Sequence, residues 1–400
     1  MGKTVKQSPA QKVKAKKGNS NRGPNPAPVA LHILCARAGG RCEFEGCNKY
    51  LFRDEVTLRE FNKSNVAHIV AASPDGPRGD PIRSYELSDK IQNLMLVCPE
   101  HHKLIDDKAY ECLYPEERLL EMKHKHERDM ELVGDSLKHD PSRILLFTSP
   151  IKGRQKVTIP KNQAVSAILA EKRPEKPDPD YIHIECEHLY HDKVYWKYAN
   201  TSLERQFRER IENIIAQNPR VHFSVFPLAP IPLIAKLGYL MGDKINADVY
   251  QKRRHPDTWE WQEQSSGARF EVERFPNRPT GHGVALLLSL SGAKSNEERD
   301  CFARAVHARC VYEIRATPPS VDCISSKGDL SAFWHSYQKT MDTIRTEHPG
   351  LSEVAVLPAV PVSAAFEMGR RFMPGVYPKL QIYDLDGEFV KTLVIGDKQR

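Results

Sequence analysis

Cys42 and Cys47 are separated by four residues, Cys98 and His101 by two. Zinc takes four tetrahedral sulfur and nitrogen ligands, commonly delivered as two such short pairs from separate turns. Gly46 and Pro99, both turn formers, lie inside the two pairs. The four residues therefore read as a structural zinc site, because four protein ligands leave no open position for water. Cys35 and Cys112 could replace a ligand, but neither has a close partner in sequence. Three further groups able to do chemistry lie beside these pairs. His68 sits in the alternating, strand-like run Asn65-Val66-Ala67-His68-Ile69-Val70. Asn93 sits in Ile91-Gln92-Asn93-Leu94-Met95-Leu96-Val97, and His102 directly follows His101.

Elements must position these groups, and the chain is long enough for more than one core. At 400 residues it suggests two domains. A hydrophobic content of 40% and a charged content of 28% are those of a globular protein. No apolar run approaches the roughly 18–20 residues of a membrane span, and the basic start lacks a secretory signal's apolar stretch. The cytosol is the expected compartment, where nine cysteines read as metal ligands and free thiols rather than as a disulfide framework. The net charge of +7 is unevenly spread: residues 1–22 hold six lysines and Arg22 with no acid. Residues 1–29 thus read as a disordered basic arm suited to phosphate contacts. A first domain with its connecting helix, starting at Pro115-Glu116-Glu117, is expected over 30–138. Residues 139–165 read as a linker, and an α/β domain follows over 166–400. Taken together the fold class is α+β.

The second domain contains an internal repeat. Residues 222–242 (HFSVFPLAPIPLIAKLGYLMG) align without gaps on residues 353–373 (EVAVLPAVPVSAAFEMGRRFM), so that Pro227, Pro230 and Gly238 fall on Pro358, Pro361 and Gly369. Each copy reads as a buried strand, a Pro-x-x-Pro loop and a helix packed closely at its glycine. Two copies 131 positions apart imply two similar halves related by a pseudo-twofold. In such sheets ligands bind beyond the carboxyl ends of the strands, where both proline loops must lie.

Over residues 35–110 the ordered set Cys-x4-Cys, His-Ile, Asn-Leu, Cys-x2-His-His resembles the HNH endonucleases. The resemblance implies a small zinc-stapled ββα-metal domain that hydrolyses DNA. Such hydrolysis needs an activated water, neutralisation of charge on the phosphate and help for the leaving oxygen. His68 is then the general base, since an imidazole titrating near pH 6.5 suits that role at about neutral pH. His102 becomes a ligand of a catalytic Mg²⁺ or Mn²⁺, and Asn93 pins either the local backbone or the His68 ring. Ala67 departs from the pattern: many relatives carry a metal-binding carboxylate or histidine directly before the base. Asp106, four residues after His102 on one helical face, is the expected substitute ligand.

Residues 166–400, with both proline-loop copies and the LLLSLSG run between them, resemble the SAVED domain, two fused CARF-like halves that bind cyclic oligonucleotides. An HNH nuclease fused to SAVED is the arrangement of an effector in the bacterial antiphage system CBASS. This implies a nuclease kept idle until a second messenger, expected to be a cyclic dinucleotide, assembles the chains into active homo-oligomers. Such a ligand needs cations and flat side chains, and the expected contacts are Trp196, Lys197, Tyr250, Lys252, Arg254, Trp259, Ser291, Arg370 and Arg371. Two other readings compete. One is an HNH restriction enzyme whose C-terminal domain recognises DNA sequence or modified bases; the paired proline loops argue instead for a small symmetric ligand. The other is a non-catalytic zinc-binding DNA module, which would need none of His68, Asn93 and His102.

Overall fold

The computed structural model describes residues 22–151, 157–185, 193–275, 281–292 and 294–397. Most of the expected basic arm, residues 1–21, therefore lies outside the described residues. The chain divides into two compact units at Asp135/Ser136.

The first unit opens with α1 (Pro28–Arg37), whose proline occupies the first turn. The chain then reverses through Gly39 and Gly40, both at positive φ, as the paired glycines after a helix require. β1 (Asn65–His68) pairs antiparallel with β2 (Leu94–Val97), His68 opposite Leu94. A short helix, α2 (Arg83–Leu87), lies between them. α3 (Pro99–Asp106) and α4 (Glu116–Ser136) follow. All four residues of β2 are buried, and Leu34, Ala67, Ile105 and Leu119 join them, with Cys42 and Cys98, in one core. Lys123 ties α4 to that core. Its buried ammonium lies 2.7 Å from Glu127 and 3.8 Å from Glu43, and Glu43 also accepts the Leu96 N–H.

The second unit is built on two sheets. In the first, β3 (Pro141–Thr148), β4 (Arg173–Pro174), β5 (Asp180–His183), β6 (His222–Leu228) and β7 (Asn246–Val249) run parallel, in the order β4-β3-β6-β7 with β5 also on β3. Helices α5 (Lys161–Ile168), α6 (Lys193–Gln206), α7 (Asn213–Gln217) and α8 (Ile231–Met241) intervene. The second sheet follows with β8 (Arg269–Phe275), β9 (Gly283–Ser289), α9 (Asn296–Ala305), β10 (Ala308–Thr317), α10 (Lys327–Glu347), β11 (Glu353–Ala359), α11 (Val362–Arg370), β12 (Lys379–Asp386) and β13 (Glu388–Ile395). Its order is β13-β12-β11-β9-β10-β8, parallel in the middle and antiparallel at both edges.

This arrangement corrects the expected linker. Residues 139–165 contain β3, the strand to which three others of the first sheet pair, and the first turns of α5. Leu145 and Phe147 of β3 are fully buried. Strands of a parallel sheet are covered on both faces and so lack the alternation that marks a half-buried strand. The second unit consequently begins at Ser136 rather than at 166.

The repeat becomes β6–α8 and β11–α11, and the two helices cross at their glycines. A Cβ on Gly238 would fall 2.0 Å from the Phe366 carbonyl oxygen, and one on Gly369 would fall 1.8 Å from that of Ala235. Glycine is what lets the two backbones touch here. One core joins the halves, drawing on Phe223, Val225 and Leu237 from one and Val354, Val356 and Phe366 from the other.

At the start of the first sheet lies a polar chain, buried at Ser142, His222 and Ser224 and part-exposed at Asp248. The Ser142 hydroxyl is 2.8 Å from His222 Nδ1 and 2.7 Å from the Ser224 hydroxyl, and His222 Nε2 is 3.3 Å from Asp248 Oδ2. Three adjacent strands contribute to it.

Candidate functional site

The turn after α1 and the start of α3 bring Cys42, Cys47, Cys98 and His101 together, with their ligand atoms all within 4.8 Å of one another. His101 Nδ1 lies 3.1 Å from Cys98 Sγ and 3.6 Å from Cys42 Sγ. Tetrahedral Zn–S and Zn–N bonds of about 2.3 and 2.0 Å place their donors roughly 3.3–3.8 Å apart, so three sulfurs and one nitrogen fit that ion. Phe44 stacks on the His101 ring at 4.0 Å and 4°, fixing its plane, and the Cys98 N–H donates to Cys42 Sγ at 3.3 Å. Burial, aided by Glu100, pushes the Cys98 thiol up to about 12; burial also raises Cys42. A bound divalent cation reverses that preference by favouring thiolates. Cys35 and Cys112 stand outside the cluster.

β1 ends on His68, half-buried, with Nε2 3.0 Å from the Ser88 carbonyl oxygen. A carbonyl only accepts, so Nε2 carries the proton and Nδ1 keeps a free lone pair. Burial lowers the imidazole below its ordinary value, Arg22 and His102 act in the same direction, and the Ser88 carbonyl and Asp106 oppose them. The ring is thus held in its neutral, proton-accepting form near neutrality.

Asn93 takes the first of the two roles expected for it and pins backbone. Its Oδ1 accepts the Val70 N–H at 2.8 Å, and its Nδ2 donates to the carbonyls of Val70 at 2.9 Å and Leu87 at 3.2 Å. The chain leaving His68 is clamped on both sides of one residue. His102, in the first turn of α3, has Nδ1 3.5 Å from Asp106 Oδ2, one turn along the same helix. Among the described residues no further His, Cys or carboxylate joins this pair into a three-donor cluster. Ala67 is buried in the core. A catalytic cation at this point would have a foothold of two protein residues.

Sequence reasoning missed Arg78. Its guanidinium donates to the carbonyls of Ile69 at 2.6 Å, Ile105 at 3.1 Å, Tyr114 at 3.4 Å and His68 at 3.5 Å. It thereby ties the end of β1 to the end of α3, the two elements that carry His68 and His102. The signal available in sequence was an arginine between turn formers, Pro77-Arg78-Gly79; the structure holds it at positive φ.

In the second unit most of the expected ligand contacts are placed elsewhere. Trp196, Tyr250 and Trp259 are buried in the core: Trp196 packs edge-on to Tyr195, and Tyr250 and Trp259 flank Phe226. Large aromatic bodies reward burial more than any exposed stacking role. Lys252 pairs with Asp257 and lies over Trp259, while Lys197 and Arg254 are exposed. Arg370 and Arg371 stand at the far end of α11 from its proline loop. Arg370 donates to the carbonyls of Gly242 and Ile245; Arg371 pairs with Glu367 and covers Trp334. Ser291 sits beside a proline loop, its N–H donating to the Ala359 carbonyl at 2.9 Å, and the buried Tyr250 and Trp259 pack with Leu228 and Val362 of the two loops.

The carboxyl ends of the strands instead gather short polar side chains. Gln251 Oε1 accepts both the N–H and the hydroxyl of Ser363, at 3.0 and 2.7 Å, linking the end of β7 to the start of α11. Ser289 ends β9 with a buried hydroxyl that has no partner among the described residues. α8 and α11 both begin at these loops, at the carboxyl ends of β6 and β11.

Residues 203–395, a span that holds both copies of the repeat, match the family model of SAVED, the SMODS-associated and fused to various effectors sensor domain. No curated protein matches the chain. Among solved structures, the Acinetobacter baumannii Cap4 SAVED/CARF-domain containing receptor with the cyclic trinucleotide 3′3′3′-cAAA aligns with a TM-score of 0.40 and 14% identity, over 74% of this chain and 62% of that one. The Moraxella osloensis Cap4 receptor aligns with a TM-score of 0.36 and 13% identity, over 79% of this chain and 60% of that one. The chain thus spans less than two thirds of the length of either receptor. Among the described residues no helix is long and apolar enough to cross a membrane.

Proposed function

We propose that the chain is an HNH-type DNA endonuclease, idle until a cyclic oligonucleotide binds its SAVED domain, and that it serves antiphage defence by degrading DNA. The observation that carries the nuclease half is the fixing of His68: Ser88 sets its tautomer, and Asn93 clamps the backbone it sits on. The SAVED match over 203–395 supports the sensing half.

In this reading His68 Nδ1 takes a proton from water. The water oxygen attacks the phosphorus, and the P–O3′ bond opposite it breaks. A divalent cation held by His102 would neutralise charge on the phosphate and the leaving oxygen. Asp106, with Oδ2 3.5 Å from His102 Nδ1, would be the second protein ligand of that cation. Zinc in the Cys42–Cys47–Cys98–His101 cluster is structural, fixing the start of α3 and with it His102. In the second unit, the unpartnered hydroxyl of Ser289 and the nearby Gln251–Ser363 pair suit the polar groups of a cyclic oligonucleotide.

The test is cleavage of plasmid DNA by the full chain with Mg²⁺ and a panel of cyclic di- and trinucleotides. One ligand should switch cleavage on, and His68→Ala should lower the rate by about 10²–10⁴-fold with zinc content unchanged. A His68→Ala protein that cuts at the wild-type rate would refute the nuclease reading.

A further inference from the structure

Gly23 is buried against the candidate catalytic site. Its N–H donates to the Ala72 carbonyl at 2.8 Å. A Cβ on it would fall 2.4 Å from Ser88 Oγ, 2.6 Å from Ser88 Cβ and 3.2 Å from the Ser84 carbonyl oxygen. The same Ser88 accepts His68 Nε2 through its own carbonyl. One residue therefore separates the main chain at Gly23 from the His68 ring, and Arg22 is delivered to the edge of the site. Arg22 is exposed. It is close enough for its charge to act on His68.

A cation beside an imidazole that must accept a proton leaves the ring neutral. Its other consequence is a positive charge where the substrate brings a negative one. With Ala67 buried and, among the described residues, His102 and Asp106 as the foothold for a divalent ion, the site has room for a further positive charge on the phosphate under attack. Residues 1–21 add six lysines and no carboxylate to the sequence leading into Arg22.

We infer that Arg22 binds a backbone phosphate of the DNA at the cleavage point, beside His68, as a substrate-contacting residue of the site. The inference rests on the nuclease reading and extends it. A guanidinium matches a phosphate with two parallel donors, which an ammonium does not. Gly23 is the anchor that holds it there.

The experiment compares wild type, Arg22→Ala, Arg22→Lys and His68→Ala, all as full chains with equal zinc content. It measures activated cleavage and the salt dependence of DNA binding. Arg22→Ala should lower kcat/KM by about ten- to a hundredfold, a charged hydrogen bond's effect, with Arg22→Lys in between. The slope of log affinity against log salt should fall by about 0.9 in Arg22→Ala, one phosphate contact fewer. Gly23→Ala, which leaves the charge but displaces the anchor, should lower cleavage while keeping the slope. If Arg22→Ala matches wild type in both rate and slope while His68→Ala is inactive, the Arg22 inference is wrong and the nuclease reading stands. If His68→Ala is as active as wild type, or wild type cuts nothing under any ligand, the nuclease reading fails and the Arg22 inference falls with it.

Discussion

Replacing Gly238 or Gly369 by alanine tests the seam between the two halves of the second unit. The added methyl carbon would lie 2.0 Å from the Phe366 carbonyl oxygen in one variant and 1.8 Å from that of Ala235 in the other, whereas ordinary contact begins near 3.4 Å. Both obstructing atoms are main chain within a helix and cannot rotate away. Relief therefore requires α8 and α11 to separate by about 1.5 Å, and a gap of 0.5–1 Å already forfeits roughly a quarter to a half of a dispersion contact. Overpacking typically costs about 1–3 kcal/mol, and a rigid neighbour puts each variant near the upper end, about 3 kcal/mol. At about 2–4 °C per kcal/mol for a unit of this size, the melting temperature should fall by roughly 6–12 °C. The double variant should cost little more than either single one, because one separation accommodates both methyl groups. All four tryptophans, Trp196, Trp259, Trp261 and Trp334, lie in the second unit, so their fluorescence during urea unfolding reports on that unit alone. A Gly238→Ala protein within about 0.5 kcal/mol of wild type, or single costs that add in full, would refute the crossing as the rigid seam.

Cys98→Ala should lose the metal and unfold the first unit, because in such modules metal binding supplies folding free energy. Metal analysis should find about one zinc per wild-type chain, and full zinc in the variant would move the ligand set elsewhere. Asp329 is buried, which pushes its carboxyl up, yet hydrogen bonds from Ser265, Ser266, Ser325 and Ser326 prevail and hold it down at about 2. A depressed carboxyl stabilises the fold above its unfolded value of about 3.9 and loses that contribution as pH falls through the folded value. Asp329→Asn should accordingly lower the urea midpoint by a constant amount from pH 7 to 5, with the gap narrowing below pH 4; a gap independent of pH would exclude the carboxylate's role. Under the proposed mechanism, the activating oligonucleotide should convert a monomer or dimer into a larger species that alone makes double-strand breaks. An unchanged mass by light scattering in an actively cutting sample would refute assembly.

What the sequence disclosed was local. The Cys-x4-Cys and Cys-x2-His pairs carry their geometry in their spacing, and the donors meet as that spacing implies. The repeat was legible because Pro230, Pro361, Gly238 and Gly369 have backbone roles few other residues fill. β3 was not, because Ile144-Leu145-Leu146-Phe147 in a doubly covered strand shows no period. Trp196, Tyr250 and Trp259 were misplaced because neighbouring cations suggested a ligand face, whereas their large apolar areas take them into the core. Arg370 faces the carbonyls of Gly242 and Ile245, which only the folded chain brings near, while Arg371 pairs with Glu367 one turn back on its own helix. Arg78 and Gly23 act through contacts 9 to 65 positions away, which no window of sequence reveals.

The polar chain of Ser142, His222, Ser224 and Asp248 bears on how the first sheet finds its pairing. Apolar strands covered on both faces can slide past one another with little loss of burial, so hydrophobicity alone leaves the pairing of β3, β6 and β7 under-determined. A shift by one residue moves a side chain about 3.3 Å and turns it to the other face. Every link between Ser142, His222 and Asp248 would then break, leaving the buried Ser142 hydroxyl and His222 imidazole unpaired, while Asp248 can still reach water. Each of these two losses costs about 1–3 kcal/mol. The network thus discriminates against misaligned sheets during folding, proofreading an alignment that the apolar residues of the three strands would tolerate getting wrong.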